Sequence, residues 1–138
     1  MEKNKQIILS GKRKRAIAKA SIKKGKGKIS INKLPYENLS RFHFLSIKEP
    51  LDIAKKVLGK DKLEFDIEVK VKGGGAEGQI EASRLAIGKA LVEATGSQEL
   101  RKALTSYDKS LLVADVRRKE PNKPGDSKAR AHRQSSKR

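Results

Sequence analysis

The chain has no cysteine and no tryptophan, and its 138 residues include only two tyrosines and three phenylalanines. Without cysteine there is no disulfide framework, no thiolate metal site and no cysteine nucleophile. Imidazole comes only from His43 and His132, which lie in unrelated contexts, so neither a metal nor another cofactor is expected. The few aromatics form no Lys/Arg-Gly-Phe-Gly-Phe pattern, which argues against base stacking on an exposed sheet as the main mode of any RNA recognition. No run of 18 apolar residues occurs, and no apolar stretch follows a charged start. Neither a membrane span nor a signal peptide is expected, and the reading is a cytoplasmic protein.

Acid is also scarce: 16 Asp and Glu stand against 34 Lys and Arg, a net charge of +18. The excess is uneven. Residues 1–33 hold 12 basic and 1 acidic residue, 34–114 hold 13 and 12, and 115–138 hold 9 and 3. A near-neutral middle between two cationic ends points to a polyanionic partner. Of the 33 Leu, Ile, Val and Phe residues, only Val116 falls in 115–138. Residues 1–114 can therefore bury a modest core, whereas 115–138 read as an extended basic tail that cannot.

Apolar periodicity gives the elements. Ile7-Ile8-Leu9 starts a strand, and Ser10 to Arg15 interrupts it with turn residues and charge. Ala16, Ala18, Ala20 and Ile22 share one face of a second strand, with Ile17 the exception to its alternation. Ile29 to Asn32 alternates again. The Gly-containing link Lys24–Lys28 between the two reads as a hairpin. Leu34 to Phe44 reads as irregular. Ser46 and Glu49 have capping-box spacing, and Pro50 suits a first turn, so a helix is expected from there to Gly59. Leu63, Phe65, Ile67, Val69 and Val71 make the cleanest strand. Gly73-Gly-Gly75 ends it. Ala76–Thr95 is helical, with Ile80, Ser83, Ile87, Leu91 and Ala94 on one stripe. A shorter helix covers Gln98–Leu104, and Leu111–Val113 reads as a last short strand or extended piece. The sum is an α+β fold: a two-layer α/β sandwich, its sheet mostly antiparallel with helices on one face.

Several motifs invite sharper readings. Gly73-Gly-Gly-Ala-Glu-Gly78 fits the dinucleotide pattern G-x-G-x-x-G, and Glu93 lies 20 residues after Gly73. That acid falls inside a helix, however, and no second parallel βα unit follows, so the fingerprint is rejected. The glycines instead permit an unusual turn and close backbone approach, beside a helix N-terminus able to hold one phosphate. Lys24-Gly-Lys-Gly-Lys28 lacks the spacing of a phosphate loop and reads as a basic tip. Lys12-Arg-Lys-Arg15 enters a strand directly, which fixes its charge on the domain and favours nucleic-acid contact. Glu64, Asp66 and Glu68 read as a wet strand face paired with lysines across the sheet. His43, in Arg-Phe-His-Phe, reads as structural or RNA-contacting. No catalytic constellation can be assembled, and the chain reads as no enzyme.

Four stretches carry a resemblance: Ser10–Lys19; the Lys24–Lys28 link with Ile29–Asn32; Gly73–Gln79 with Ala82, Arg84 and Ala86-Ile87; and Asp115–Glu120 continuing through Lys123, Gly125, Lys128-Ala-Arg130 and Gln134 to Ser136-Lys-Arg138. Together they span most of the chain. They resemble the universal ninth-protein family of the small ribosomal subunit in its archaeal-type form. The resemblance implies a left-handed βαβ crossover, an exception to the usual rule. It also implies a structural role in translation, binding to small-subunit rRNA in the head beside neighbouring head proteins, and a tail reaching toward the P-site tRNA. Ser135 stands where the family often has an aromatic, and Pro121, Pro124 and Asp126 depart from bacterial-type tails.

The expected rRNA contacts are Lys12, Arg13, Lys14 and Arg15, the link lysines Lys24, Lys26 and Lys28, and Gly74, Arg84 and Lys89. In the tail they are Arg117, Arg118, Lys119, Lys123, Lys128, Arg130 and Arg133. By resemblance, Lys137 and Arg138 fall nearest tRNA. Two rivals share parts of this pattern. A basic subunit of a tRNA-processing ribonucleoprotein would share the charge. A nucleotide-binding enzyme would use the Gly73–Gly78 loop.

Overall fold

A computed structural model describes residues 6–136. The elements run β1 (Ile7–Arg13), β2 (Ala16–Lys24), β3 (Ile29–Ile31), β4 (Leu34–Pro35), α1 (Arg41–Leu58), β5 (Phe65–Lys72), α2 (Ala76–Thr95) and α3 (Gln98–Tyr107). The sheet order is β1-β2-β5-β3-β4. Every neighbouring pair is antiparallel except β3 and β5, which run parallel and are joined by a crossover through α1.

The sheet has one dry face and one wet face, and the alternation seen in sequence decides which is which. Ala16, Ala18, Ala20 and Ile22 of β2 and Ile67, Val69 and Val71 of β5 point into the core. Their neighbours Lys19, Lys23, Glu68, Lys70 and Lys72 are exposed. Helix α2 lies against β1, β2 and β5, while α1 packs on α2 and α3. Small residues set the spacing of the two layers. A Cβ on Gly11 of β1 would collide with the Ala82 carbonyl oxygen of α2, so strand and helix meet backbone to backbone there. Ile22, Ile47, Ile87, Leu100, Leu104 and Leu111 are fully buried. Each large side chain of this kind stabilises the fold by roughly 1.5–3 kcal/mol.

Besides β1, which runs unbroken through Ser10 to Arg13 where the sequence suggested an interruption, three sequence expectations require correction. The first is the hairpin across Lys24–Lys28: β5 lies between β2 and β3 in the sheet. The link instead passes over the start of β5, where Gly25 N–H donates to the Glu64 carbonyl (3.0 Å). The Asp66 carboxylate accepts the N–H groups of Lys26 and Lys28, both at 2.9 Å. Asp66 is thus held by loop backbone rather than by a lysine across the sheet, and its carboxyl lies below its ordinary value of 3.8, chiefly through the Lys28 N–H.

The second is the start of α1. The helix begins at Arg41, with Ser40 as N-cap, and Leu34 to Asn38 form β4 and a 3₁₀ turn. Ser46 sits inside the helix, its hydroxyl donating to the Phe42 carbonyl (2.9 Å), and Pro50 is buried mid-helix. Phe44, Ile47, Leu51, Ala54 and Leu58 continue one helical stripe backward past Pro50, and Phe44 stacks on Tyr36 at 5.4 Å. Burial of that stripe outweighs the missing proline N–H. The third is Leu111–Val113, which begins as a 3₁₀ turn over Lys109–Leu111 and forms no strand. A Cβ on Gly88 of α2 would meet the Leu111 carbonyl oxygen at 2.5 Å, so this turn is pressed onto the helix.

Candidate nucleic-acid interface

Strands β1 and β2 pair up to Arg13 and Ala16, leaving Lys14-Arg15 as a two-residue turn with both side chains exposed. Lys14 has φ +53, a conformation uncommon outside glycine. The glycine turn after β5 is built against this basic turn. Gly73 and Gly74 have φ +78 and +69, and their would-be Cβ atoms lie 2.7 Å from the Arg15 carbonyl oxygen and 2.9 Å from the Ala16 nitrogen. Gln79 clasps the turn by donating to the Gly73 carbonyl (3.1 Å). Gly75 is the N-cap of α2, and no side chain caps it. The first N–H groups of a long helix, positive by its dipole, therefore open beside Lys14 and Arg15.

The third wall comes from the start of the tail. Asp115 forms ion pairs with Arg13 and, at 2.8 Å, with Arg117. The Arg117 hydrogen bonds hold the Asp115 carboxyl well below the usual carboxylate range. Arg118 donates to the carbonyls of Asp115 (2.7 Å) and Arg117 (2.9 Å). The clasp leads the chain back over the hairpin end. The result is an open cleft of about 880 Å3, lined by Lys12, Lys14, Arg15, Ile17, Gly74, Gly75, Arg117, Arg118, Lys119, Glu120, Pro121 and Asn122. Six cationic side chains face one carboxylate in this lining. Three of the four stretches singled out in sequence meet here although far apart in the chain.

Not every expected contact residue joins them. Arg13 also binds Glu81 at 2.5 Å, and its side chain is only 15% exposed. Arg84, 16% exposed, ties Glu49 of α1 (2.5 Å) to Asp108 at the end of α3 (3.1 Å). Burial would raise the Asp108 carboxyl, but hydrogen bonds from Ser110 and Arg84 outweigh it and hold it low. Lys89 reaches the Ser10 carbonyl at 3.3 Å. Lys24, Lys26 and Lys28 are exposed at the far end of β2, about 26 Å from the cleft at roughly 3.3 Å per strand residue. In the outer tail Arg130 pairs with Glu120 (2.7 Å) and Arg133 with Asp126 (3.5 Å), while Lys123 and Lys128 are exposed. Lys137 and Arg138 lie outside the described residues. His43 joins Glu77 at 2.8 Å across α1 and α2.

Sequence reasoning missed Ile17 and Asp115. Ile17 was visible as the one break in the β2 alternation. Asp115 shows only as an Asp-x-Arg spacing, whose meaning depends on Arg13 arriving from the other end of the chain.

Comparison with known proteins shows the family. The family model described as ribosomal protein S9/S16 matches residues 11–138. The chain belongs to this family. It is 46% identical over 135 residues to the small ribosomal subunit protein uS9 of Methanococcus vannielii, covering 96% of this chain and 98% of the relative. The uS9 proteins of two Methanococcus maripaludis strains, C5 and S2, are 46% and 45% identical over the same coverage. The archaeal-type resemblance read from the motifs thus holds over nearly the whole chain. Membership makes the protein a structural component of the ribosome and not an enzyme. The S9/S16 match begins at Gly11 and so takes in the basic turn, the glycine turn and the tail start together. The rejected dinucleotide reading finds no support in topology either: among the described residues, no strand follows α2 to complete a second parallel unit.

Proposed function

We propose that this protein binds small-subunit rRNA in the head of the small ribosomal subunit, with the cleft between the β1–β2 turn, the glycine turn and residues 117–122 as its principal grip. The observation that carries this reading is the meeting of three distant basic or glycine-rich segments in one open, cationic cleft beside an uncapped helix N-terminus. Lys12, Lys14, Arg15, Arg117, Arg118 and Lys119 neutralise phosphates and release counterions. Arg118, and the outer edge of Arg117 whose Nε and Nη2 are held by Asp115, bring planar donors suited to phosphate oxygens. Gly74 lets the backbone approach closely. Arg13, engaged by Glu81 and Asp115, holds the tail start against the basic turn, and Arg84 ties α1 to the end of α3. Lys24, Lys26 and Lys28 meet a different stretch of RNA at the far end of the sheet. Lys89, Lys123, Lys128, Arg130 and Arg133 extend the contact along the body and tail, where Arg130 and Arg133 exchange their intrachain carboxylates for phosphates. The tail then carries Lys137 and Arg138 toward the P-site tRNA, and neighbouring head proteins complete the surroundings. The working location is the ribosome in the cytoplasm.

Sedimentation with small subunits tests the reading. The wild-type chain should co-migrate with them through moderate salt. The variant Lys14→Gln/Arg15→Gln/Arg118→Gln/Lys119→Gln should fold normally and be lost from the subunit peak as salt rises. Equal retention of the two proteins at every salt concentration would contradict it.

A further inference from the structure

The wet face of the sheet has a feature that neither its composition nor the cleft explains. In the β1/β2 and β2/β5 registers, Ile17 stands opposite Lys12 on one side and Lys72 on the other. One step along the face, Lys19 stands directly opposite Lys70. All four lysines are exposed, around an Ile17 that is itself 43% exposed. Like charges directly opposite on a sheet repel. Neither wet-face acid stands directly opposite this pair. Glu68 stands opposite Ser21 and Ser30, and Asp66 opposite Lys23, its carboxylate already taken by the Lys26 and Lys28 N–H groups. Among the described residues, no carboxylate makes an ion pair with any of the four lysines. The helices cover only the opposite face of this sheet.

Resting on the reading of the cleft as an rRNA grip, we infer that the wet face of the sheet is a second RNA-contact surface, on which Lys19, Lys70 and Lys72 carry a phosphate backbone onward from the cleft. Continuity supports RNA as the occupant, because Lys12 and Ile17 belong both to the cleft lining and to this lysine group. The lysines lie along the strands from the cleft toward the Lys24–Lys28 link, and the lane of positive charge ends at Glu68, which stands opposite Ser21 and Ser30. A phosphate chain laid there supplies the counter-charge that the sheet lacks. Ile17 gives the sugar edge an apolar floor between the lysines.

The test uses the full chain and a transcribed 3′ major domain of small-subunit rRNA, with affinity measured as a function of salt. Lys19→Gln/Lys70→Gln should bind roughly 2- to 25-fold more weakly, with a salt slope shallower by about 1–2 units. Its melting temperature should be no lower than that of wild type, since a like-charge pair is removed. Lys19→Arg/Lys70→Arg should bind as wild type does. Unchanged affinity and slope for the glutamine variant would overturn the inference. So would normal RNA binding combined with poor assembly only when the other subunit proteins are present, since that outcome assigns the face to an acidic protein. Failure of the cleft reading looks different: the cleft variant Lys14→Gln/Arg15→Gln would bind this RNA as tightly as wild type.

Discussion

Gly74→Val is the sharpest perturbation of the site that leaves charge untouched. Gly74 has φ +69, a region that costs an ordinary residue roughly 1–2 kcal/mol. A Cβ there would also stand 2.9 Å from the Ala16 nitrogen and 3.0 Å from the Ala16 Cβ. Those atoms belong to a paired strand and cannot swing aside, so overpacking adds about 1–3 kcal/mol. The expected loss is roughly 2–5 kcal/mol, or on the order of 8–25 °C in melting temperature for a domain of this size. Gly75→Ser is the matched control. Gly75 has φ −95 with nothing within 4 Å of its would-be Cβ, and serine is a good N-cap, so stability should hold or rise slightly. Thermal and urea unfolding followed by circular dichroism measure both. A Gly74→Val protein melting within about 2 °C of wild type would show that the close seating of the glycine turn on Ala16 does not constrain this fold.

Three further outcomes follow from the same geometry. Gly75→Asp should raise stability by a few tenths of a kcal/mol through capping, yet weaken rRNA binding, because its carboxylate occupies the N–H groups facing the cleft; paired melting and binding curves check this. Arg84→Met should cost about 1–2 kcal/mol: it removes the tie among Glu49, Arg84 and Asp108, but both carboxylates stay about 40% exposed and can hydrate, and the buried Arg84 Nε has no acceptor to lose. Its salt slope for RNA should match wild type, whereas a shallower slope would make Arg84 a phosphate contact. Asp66 has a folded pKa below its ordinary 3.8, so its contribution is complete above that value and is lost as pH falls through the lower, folded value; wild-type stability should therefore drop toward pH 3 more steeply than that of Asp66→Asn in parallel acid titrations of unfolding.

Much of the fold was legible because strict alternation and helical stripes report burial directly. The β2 and β5 faces and the bounds of α2 fall where the pattern places them, since one-sided burial allows only one register. The path between β2 and β3 was not legible. A short glycine-containing link fits a hairpin as well as a step over a third strand, and only the later arrival of β5, fixed by its long apolar face, decides. Pro50 misled for a related reason. It is a local signal, and the packing of Phe44, Ile47 and Leu51 overrides it. Within the site, the basic turn and the glycine turn announced themselves by composition. Arg13 and Arg84 carry the same formal charge as their neighbours, and nothing local in the chain reveals that Glu81, Asp115, Glu49 and Asp108 fold onto them. The opposed Lys19 and Lys70 were invisible for the same reason, because cross-strand register is a property of the sheet and of no single segment.

The most direct test of the rRNA grip is ultraviolet crosslinking of intact small subunits, with the attached peptides identified by mass spectrometry. The expected crosslinks to rRNA fall in three separate stretches, 12–17, 73–75 and 117–122, joined to neighbouring nucleotides of one RNA region. Recovery of those three stretches unmodified, with crosslinks confined to other parts of the chain, would contradict the assignment of the cleft.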